Sequence, residues 1–96
     1  MTVYAIAQIS IHDRGRYDRY AARFLPTLQR YGGRLLAADE QPEAIEGALG
    51  CEKVILLSFP DADAFRAWES SAEYGAIAGD RRAAVTGGVL LIRGLR

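Results

Sequence analysis

Between Phe59 and Tyr74 the hydrophobic period of the chain changes from two to three or four, across a single proline. The stretch reads Phe59-Pro60-Asp61-Ala62-Asp63-Ala64-Phe65-Arg66-Ala67-Trp68-Glu69-Ser70-Ser71-Ala72-Glu73-Tyr74, and it limits what the whole chain can become. Pro60 ends an apolar strand, because proline fixes φ and has no N–H to give to a ladder. Asp61 or Asp63 then offers a side-chain oxygen to the free N–H groups of a helix start. Phe65 and Trp68, three apart, mark the buried face of that helix. A second helix start follows at once: Ser70-x-x-Glu73 has capping-box spacing, and Ser71 can also serve as the cap. The unit is a strand, a tight turn and helices that fold back over the strand's own sheet.

The other segments extend this unit. Val3 to Ile11 has the β-branched content and period of a strand. Val3, Ala5, Ala7, Ile9 and Ile11 lie on one face, and Tyr4, Ile6, Gln8 and Ser10 on the other. Asp13 is placed to cap a helix. From there Tyr17, Tyr20, Ala21, Phe24, Leu25, Leu28 and Tyr31 form one apolar stripe, interrupted by Pro26, where a kink is expected. Gly32-Gly33 closes the helix. Arg34 to Ala38 and Glu43 to Gly47 read as one strand broken by Asp39-Glu40-Gln41-Pro42, with Gly50-Cys51 as the next turn. Glu52 to Phe59 is the most apolar strand. Ala76 to Val85 reads as helical or irregular, Thr86-Gly87-Gly88 as a turn, and Val89 to Arg93 as the last strand.

Strand, helix, strand, strand, helix, strand is the order of a split βαβ unit. Right-handed crossovers then put the helices on one face of a four-stranded antiparallel sheet, an α+β fold. The opposite face is left bare. Yet Ile6 and the runs Val54–Leu57 and Val89–Ile92 supply apolar side chains to both faces, and strands of that kind are normally covered on both. For a chain of 96 residues, read as one domain over 1–96, a second copy of itself is the simplest cover. A homodimer through the sheet face is expected.

Charge excludes other partners. Twelve Lys and Arg balance twelve Asp and Glu, with no basic face of the kind that binds nucleic acid. Runs of four apolar residues are far too short to span a membrane. The single Cys51 forms no internal disulfide, which fits a reducing cytoplasm.

The order and spacing of several pieces resemble a known family along nearly the whole chain. They are Asp13 with Tyr17-x-x-Tyr20, Tyr31-Gly32-Gly33-Arg34, Glu46-Gly47, Phe59-Pro60-Asp61, Ala67-Trp68, Ser71-Ala72-Glu73-Tyr74 and Arg81. Together they resemble the domain of unknown function 1330 family, within the dimeric α+β-barrel group. The resemblance implies a ferredoxin-like fold and a dimer with its sheets face to face. It implies no one reaction, since the wider group holds cofactor-free monooxygenases, muconolactone-isomerase-like enzymes, haem-dependent peroxidases and proteins without known activity. Ala72, where the family often has proline, and the acidic Asp39-Glu40 depart from the family pattern.

Six residues are candidates for ligand binding: Tyr17, Tyr20, Glu46, Trp68, Tyr74 and Arg81. The four aromatics converge between helices and sheet, where they either complete the core or wall a pocket. Glu46 stands in an apolar segment, and a buried carboxylate needs a partner, for which Arg81 is the natural choice. That pair is either a structural anchor or a base with a cation held ready for a carboxylate or enolate. His12 is the only histidine, in no metal-binding motif, and is a solvated turn residue unless it ligates haem. No metal or cofactor is expected. The leading function is binding of a small apolar or carbonyl-bearing molecule, with cofactor-free isomerase- or monooxygenase-like chemistry if the protein is an enzyme. A non-catalytic dimer module is the alternative, and haem binding a more distant one.

Overall fold

Val3, Ala5, Ala7, Ile9 and Ile11 form the sheet's inner face at its centre, and the rest of the chain is arranged about them. The computed structural model describes residues 1–96. In chain order the elements are β1 (Val3–Ile11), α1 (Arg14–Arg30), β2 (Arg34–Asp39), β3 (Lys53–Phe59), α2 (Ala62–Glu69), α3 (Ala72–Ala84) and β4 (Val85–Arg93). The sheet order is β2-β3-β1-β4, and every neighbouring pair is antiparallel. This is the ferredoxin-like arrangement anticipated from the pattern, with the second helical region divided in two.

The caps lie where hydrogen-bonding chemistry requires them. The Asp13 carboxylate accepts from the Arg16 N–H, that of Asp61 from the Ala64 N–H at 2.8 Å, and the Ser71 hydroxyl from the Tyr74 N–H. Of the two serines, Ser71 is therefore the cap of α3; the Ser70 hydroxyl instead donates back to the Arg66 carbonyl. α1 continues through Pro26 to Arg30. It closes at Gly32, whose φ of +78° is readily adopted only without a Cβ.

Register separates the two faces. Ala5 pairs with Leu57 and Leu91, and Ala7 with Ile55 and Val89. The buried cluster joins Val3, Ala5, Ile9, Leu57 and Phe59 to helical Tyr17, Tyr20, Leu28, Phe65, Trp68, Tyr74, Ile77 and Ala78. On the other face Ile6 pairs with Leu56 and Leu90, and Tyr4 with Ile92. Nothing in the chain covers them: Leu90 is 56% exposed and Ile92 43%. In β2 one extra residue at Leu36 shifts the register, so that Leu35 faces Leu57 and Ala38 faces Ile55. This bulge keeps both Leu35 and Ala38 on the helix side.

Two expectations require correction. Glu43 to Gly47 is not strand: β2 stops at Asp39, and residues 40–52 form a largely exposed connection outside the strands, whose last residue, Glu52, donates its N–H to the Ile9 carbonyl. The polar Asp39-Glu40-Gln41-Pro42 ends the strand rather than interrupting it. Thr86-Gly87-Gly88 is not a turn. It lies inside β4, where Ile9 pairs with Gly87 and Gln8 with Gly88. Gly87 has φ +133°, and a Cβ there would stand 2.0 Å from the Gln8 carbonyl oxygen. Glycine at this point permits a close approach of two backbones instead of reversing the chain.

Candidate functional site

The inner face of β1 sets two small residues between large ones. Val3 and Ile9 are buried core residues, while Ala5 and Ala7 between them carry only a methyl group each. Ala38 on β2, Ala21 on α1 and Ala78 on α3 repeat this economy on the surrounding elements. The aromatic rings of α1, α2 and α3 bridge over these small residues without filling the space below. The result is a cavity of about 440 Å³ between helices and sheet, lined by 20 residues of which 16 are hydrophobic. That size lies within the range of small-molecule sites.

Its roof is a continuous aromatic array. The Trp68 and Tyr74 ring centroids are 4.2 Å apart, and Trp68 packs edge-on to Phe24 at 5.9 Å and tilted on Phe59 at 5.5 Å. Tyr20 links Tyr74 to Tyr17, at 6.1 and 5.9 Å. Each polar tip that is buried has a partner. The Trp68 indole N–H donates to the Thr27 hydroxyl at 3.2 Å, which donates in turn to the Phe24 carbonyl. The hydroxyls of Tyr20 and Tyr74 lie 3.1 Å apart in one hydrogen bond. Burial, reinforced by the neighbouring Tyr74, pushes the Tyr20 phenol far above its ordinary value, and the charge of Arg81 acts in the opposite direction. Tyr20 is thus a neutral hydroxyl at any physiological pH.

The cavity's cations are Lys53, Arg81 and Arg82, and its one carboxylate is Glu69. The Lys53 side chain is only 12% exposed, and its ammonium lies 4.9 Å from the centre of the Tyr17 ring, a cation–π contact. Its nearest carboxylate oxygen, on Glu40, is 3.8 Å away, beyond hydrogen-bonding distance. Both Glu40 oxygens are instead engaged by the Arg14 guanidinium, which holds the Glu40 carboxyl below its usual range. Arg81 forms no ion pair.

The model of the family described as Domain of unknown function (DUF1330) matches residues 2–95. The chain belongs to the DUF1330 family. No curated protein matches it by sequence. Among solved structures, this DUF1330 protein is similar to the RPA0582 protein of unknown function from Rhodopseudomonas palustris, at 16% identity and a TM-score of 0.81, over 99% of this chain and 83% of that one. It is also similar to SnoaB, a cofactor-independent oxygenase from Streptomyces nogalater, at 19% identity and a TM-score of 0.73, over 99% and 94%. A third similar structure is a dimeric protein of unknown function with a ferredoxin-like fold from Bacteroides fragilis, at 10% identity and a TM-score of 0.61, over 97% and 96%. At such identities the likeness establishes the fold.

In this DUF1330 chain, five of the six candidates from the sequence line the cavity: Tyr17, Tyr20, Trp68, Tyr74 and Arg81. Glu46 does not. It is exposed in the connection after β2, outside the cavity lining, so the expected pair with Arg81 does not form. The reason is local: with no strand there, nothing carries the segment inward. His12 is exposed at the end of β1 and outside the lining as well. The sequence reading passed over Lys53 and Phe24 as wall residues, and over the alanines as the origin of the space. The signal for Lys53 was a charged residue in register with the inner face of β3. The signal for the cavity was two alanines in the middle of the central strand's core face.

Proposed function

We propose that this DUF1330 protein binds a small, largely apolar molecule bearing a carbonyl or enolate oxygen, in the cavity between helices and sheet, and does so as a homodimer. The observation that carries this reading is the cavity itself: aromatic walls above, alanines below, and a few polar groups set into an apolar lining. Pockets that hold small ligands have this composition. The Tyr20–Tyr74 pair adds directed chemistry. Two hydroxyls have two hydrogens, the mutual bond uses one, and the other is free for an oxygen of the ligand. If the protein is an enzyme, cofactor-free oxygenase- or isomerase-like chemistry on such an oxygen fits the site, and the similarity to a cofactor-independent oxygenase supports that class.

The dimer reading rests on the outer sheet face, where Ile6, Val54, Leu56, Leu90 and Ile92 stand together without cover from their own chain. A contiguous apolar surface of this kind marks an interface, and one similar fold is described as dimeric. No helix of the chain is long and apolar enough to cross a membrane, and we read its setting as cytoplasmic.

The test is equilibrium dialysis against 1-acetylnaphthalene, a neutral bicyclic ketone, with the emission of Trp68, the only tryptophan, as a second readout. Saturable binding that is lost in Ala7→Leu is expected. Absence of saturable binding by this ketone and by its charged analogues overturns the pocket reading. Light scattering should give a dimer for the wild type and a monomer for Leu90→Glu; a wild-type monomer at micromolar concentration overturns the dimer.

A further inference from the structure

The charges around the cavity are not spread evenly. Glu69 follows Trp68 at the end of α2, and the Trp68 ring packs on Phe59, which ends β3. Lys53 starts β3, about 20 Å away along an extended strand of this length. At the Lys53 end, Asp80 on α3 is paired with Arg16 on α1, and α3 closes there with the Ala84 carbonyl accepting from the His12 N–H, which puts Arg81 and Arg82 at that end as well. Lys53, Arg81 and Arg82 therefore gather at one end of the cavity, and Phe24, Phe65 and Trp68 at the other.

Two of these features lack a structural purpose. A lysine whose side chain is mostly buried normally has a carboxylate in hydrogen-bonding contact, and Lys53 has a ring face and an oxygen 3.8 Å away. The carboxylate that would satisfy it is occupied from outside the cavity, since Arg14 holds both oxygens of Glu40. Arg81 lines the cavity with no anion of its own. Lys53 thus keeps only a long ion pair with Glu40 and Arg81 keeps none, while the nearest anion is hydrogen-bonded to Arg14.

Resting on the pocket reading above, we infer that the ligand class is an aromatic anion: one or two fused rings bearing a carboxylate or a phenolate, with the rings among Phe24, Phe65 and Trp68 and the anionic oxygens at Lys53 and Arg81. Arg14 is a positioning residue. By holding Glu40 it keeps Lys53 free, and without Arg14 the Glu40 carboxylate turns to Lys53 and competes with the ligand.

Equilibrium dialysis at pH 7.5 with three probes of one shape tests this: 1-naphthoate, 1-acetylnaphthalene and 1-naphthylmethylammonium. Wild type should bind naphthoate at least roughly tenfold more tightly than the neutral ketone, as one charge-assisted contact supplies, and the ammonium most weakly. Lys53→Met should weaken naphthoate about tenfold and the ketone by a smaller factor, so that the preference for naphthoate over the ketone falls. Arg14→Met, which alters no cavity-lining residue, should weaken naphthoate alone, and adding Glu40→Gln should restore it. Equal binding of naphthoate and ketone by wild type overturns the inference while the pocket reading stands. Failure of all three probes overturns both. The wild-type comparison needs no variant, so it decides the matter even where a substitution unfolds the chain. A naphthoate preference that survives Lys53→Met and Arg81→Met alike also overturns the assignment.

Discussion

Ala7→Leu separates a ligand cavity from a filled core by the sign of its effect on stability. Ala7 lies on the inner face between Ile55 and Val89 and lines the 440 Å³ space. Leucine adds three carbons, which gain about 2.4 kcal/mol if fully buried at ~0.8 kcal/mol each. Fixing the leucine rotamer costs about 0.5–1 kcal/mol, leaving a net stabilisation of about 1.5 kcal/mol. For a chain of this size that raises the melting temperature by roughly 6–12 °C. In a closely packed core the same substitution costs about 1–3 kcal/mol through strain. Calorimetric melts of wild type and variant at one protomer concentration, so that any dimer linkage cancels, read the difference directly. The same variant should no longer bind 1-acetylnaphthalene. A melting temperature lowered by several degrees, with binding retained, refutes the reasoning about this space.

Other outcomes follow from single features. Gly87→Ala places a Cβ 2.0 Å from the Gln8 carbonyl oxygen at φ +133° and should cost more than about 2 kcal/mol in urea unfolding, whereas at Gly88 a Cβ meets nothing within 4 Å and Gly88→Ala should stay within about 0.5 kcal/mol. Equal effects at the two glycines would sink the close-approach account. The Tyr31 hydroxyl donates to Glu73 at 2.6 Å, and this bond lowers the Glu73 pKa and raises that of Tyr31. A depressed carboxyl stabilises above its unfolded value of 4.5 and loses that contribution as pH falls through the folded one. A raised phenol stabilises below 10.0 and loses its contribution as pH rises through its folded value. The stability difference between wild type and Tyr31→Phe should therefore be level from about pH 5.5 to 9 and shrink toward both extremes; a difference independent of pH would show that the bond does not form in solution.

The candidate residues were only partly legible in the chain. Tyr17, Tyr20, Trp68 and Tyr74 stand out because helical spacing places them on inward stripes, and spacing is a local property. Glu46 misled because its apolar neighbours suggested a strand, while the polar residues at 39–42 had already ended it. The two glycines at 87 and 88 misled in the opposite direction: glycine signals a turn and a close backbone approach alike, and only the partner strand distinguishes them.

By itself, then, the sequence determined the order of elements, the cap at Asp13, the identity of the sheet's inner face, and the bare outer face, while the structure chose Asp61 over Asp63 and Ser71 over Ser70 as caps. These follow from periodicity and from hydrogen-bonding groups that act within a few residues. Tertiary structure alone decided whether Trp68 fills a core or roofs a cavity. That depends on Ala5, Ala7, Ala38 and Ala78 meeting from three elements, and an alanine reads the same whether its neighbour closes over it or leaves space. It alone decided that Lys53 has no carboxylate within hydrogen-bonding distance and only a 3.8 Å ion pair with Glu40, because the competition between Arg14 and Lys53 for Glu40 joins residues from three parts of the chain.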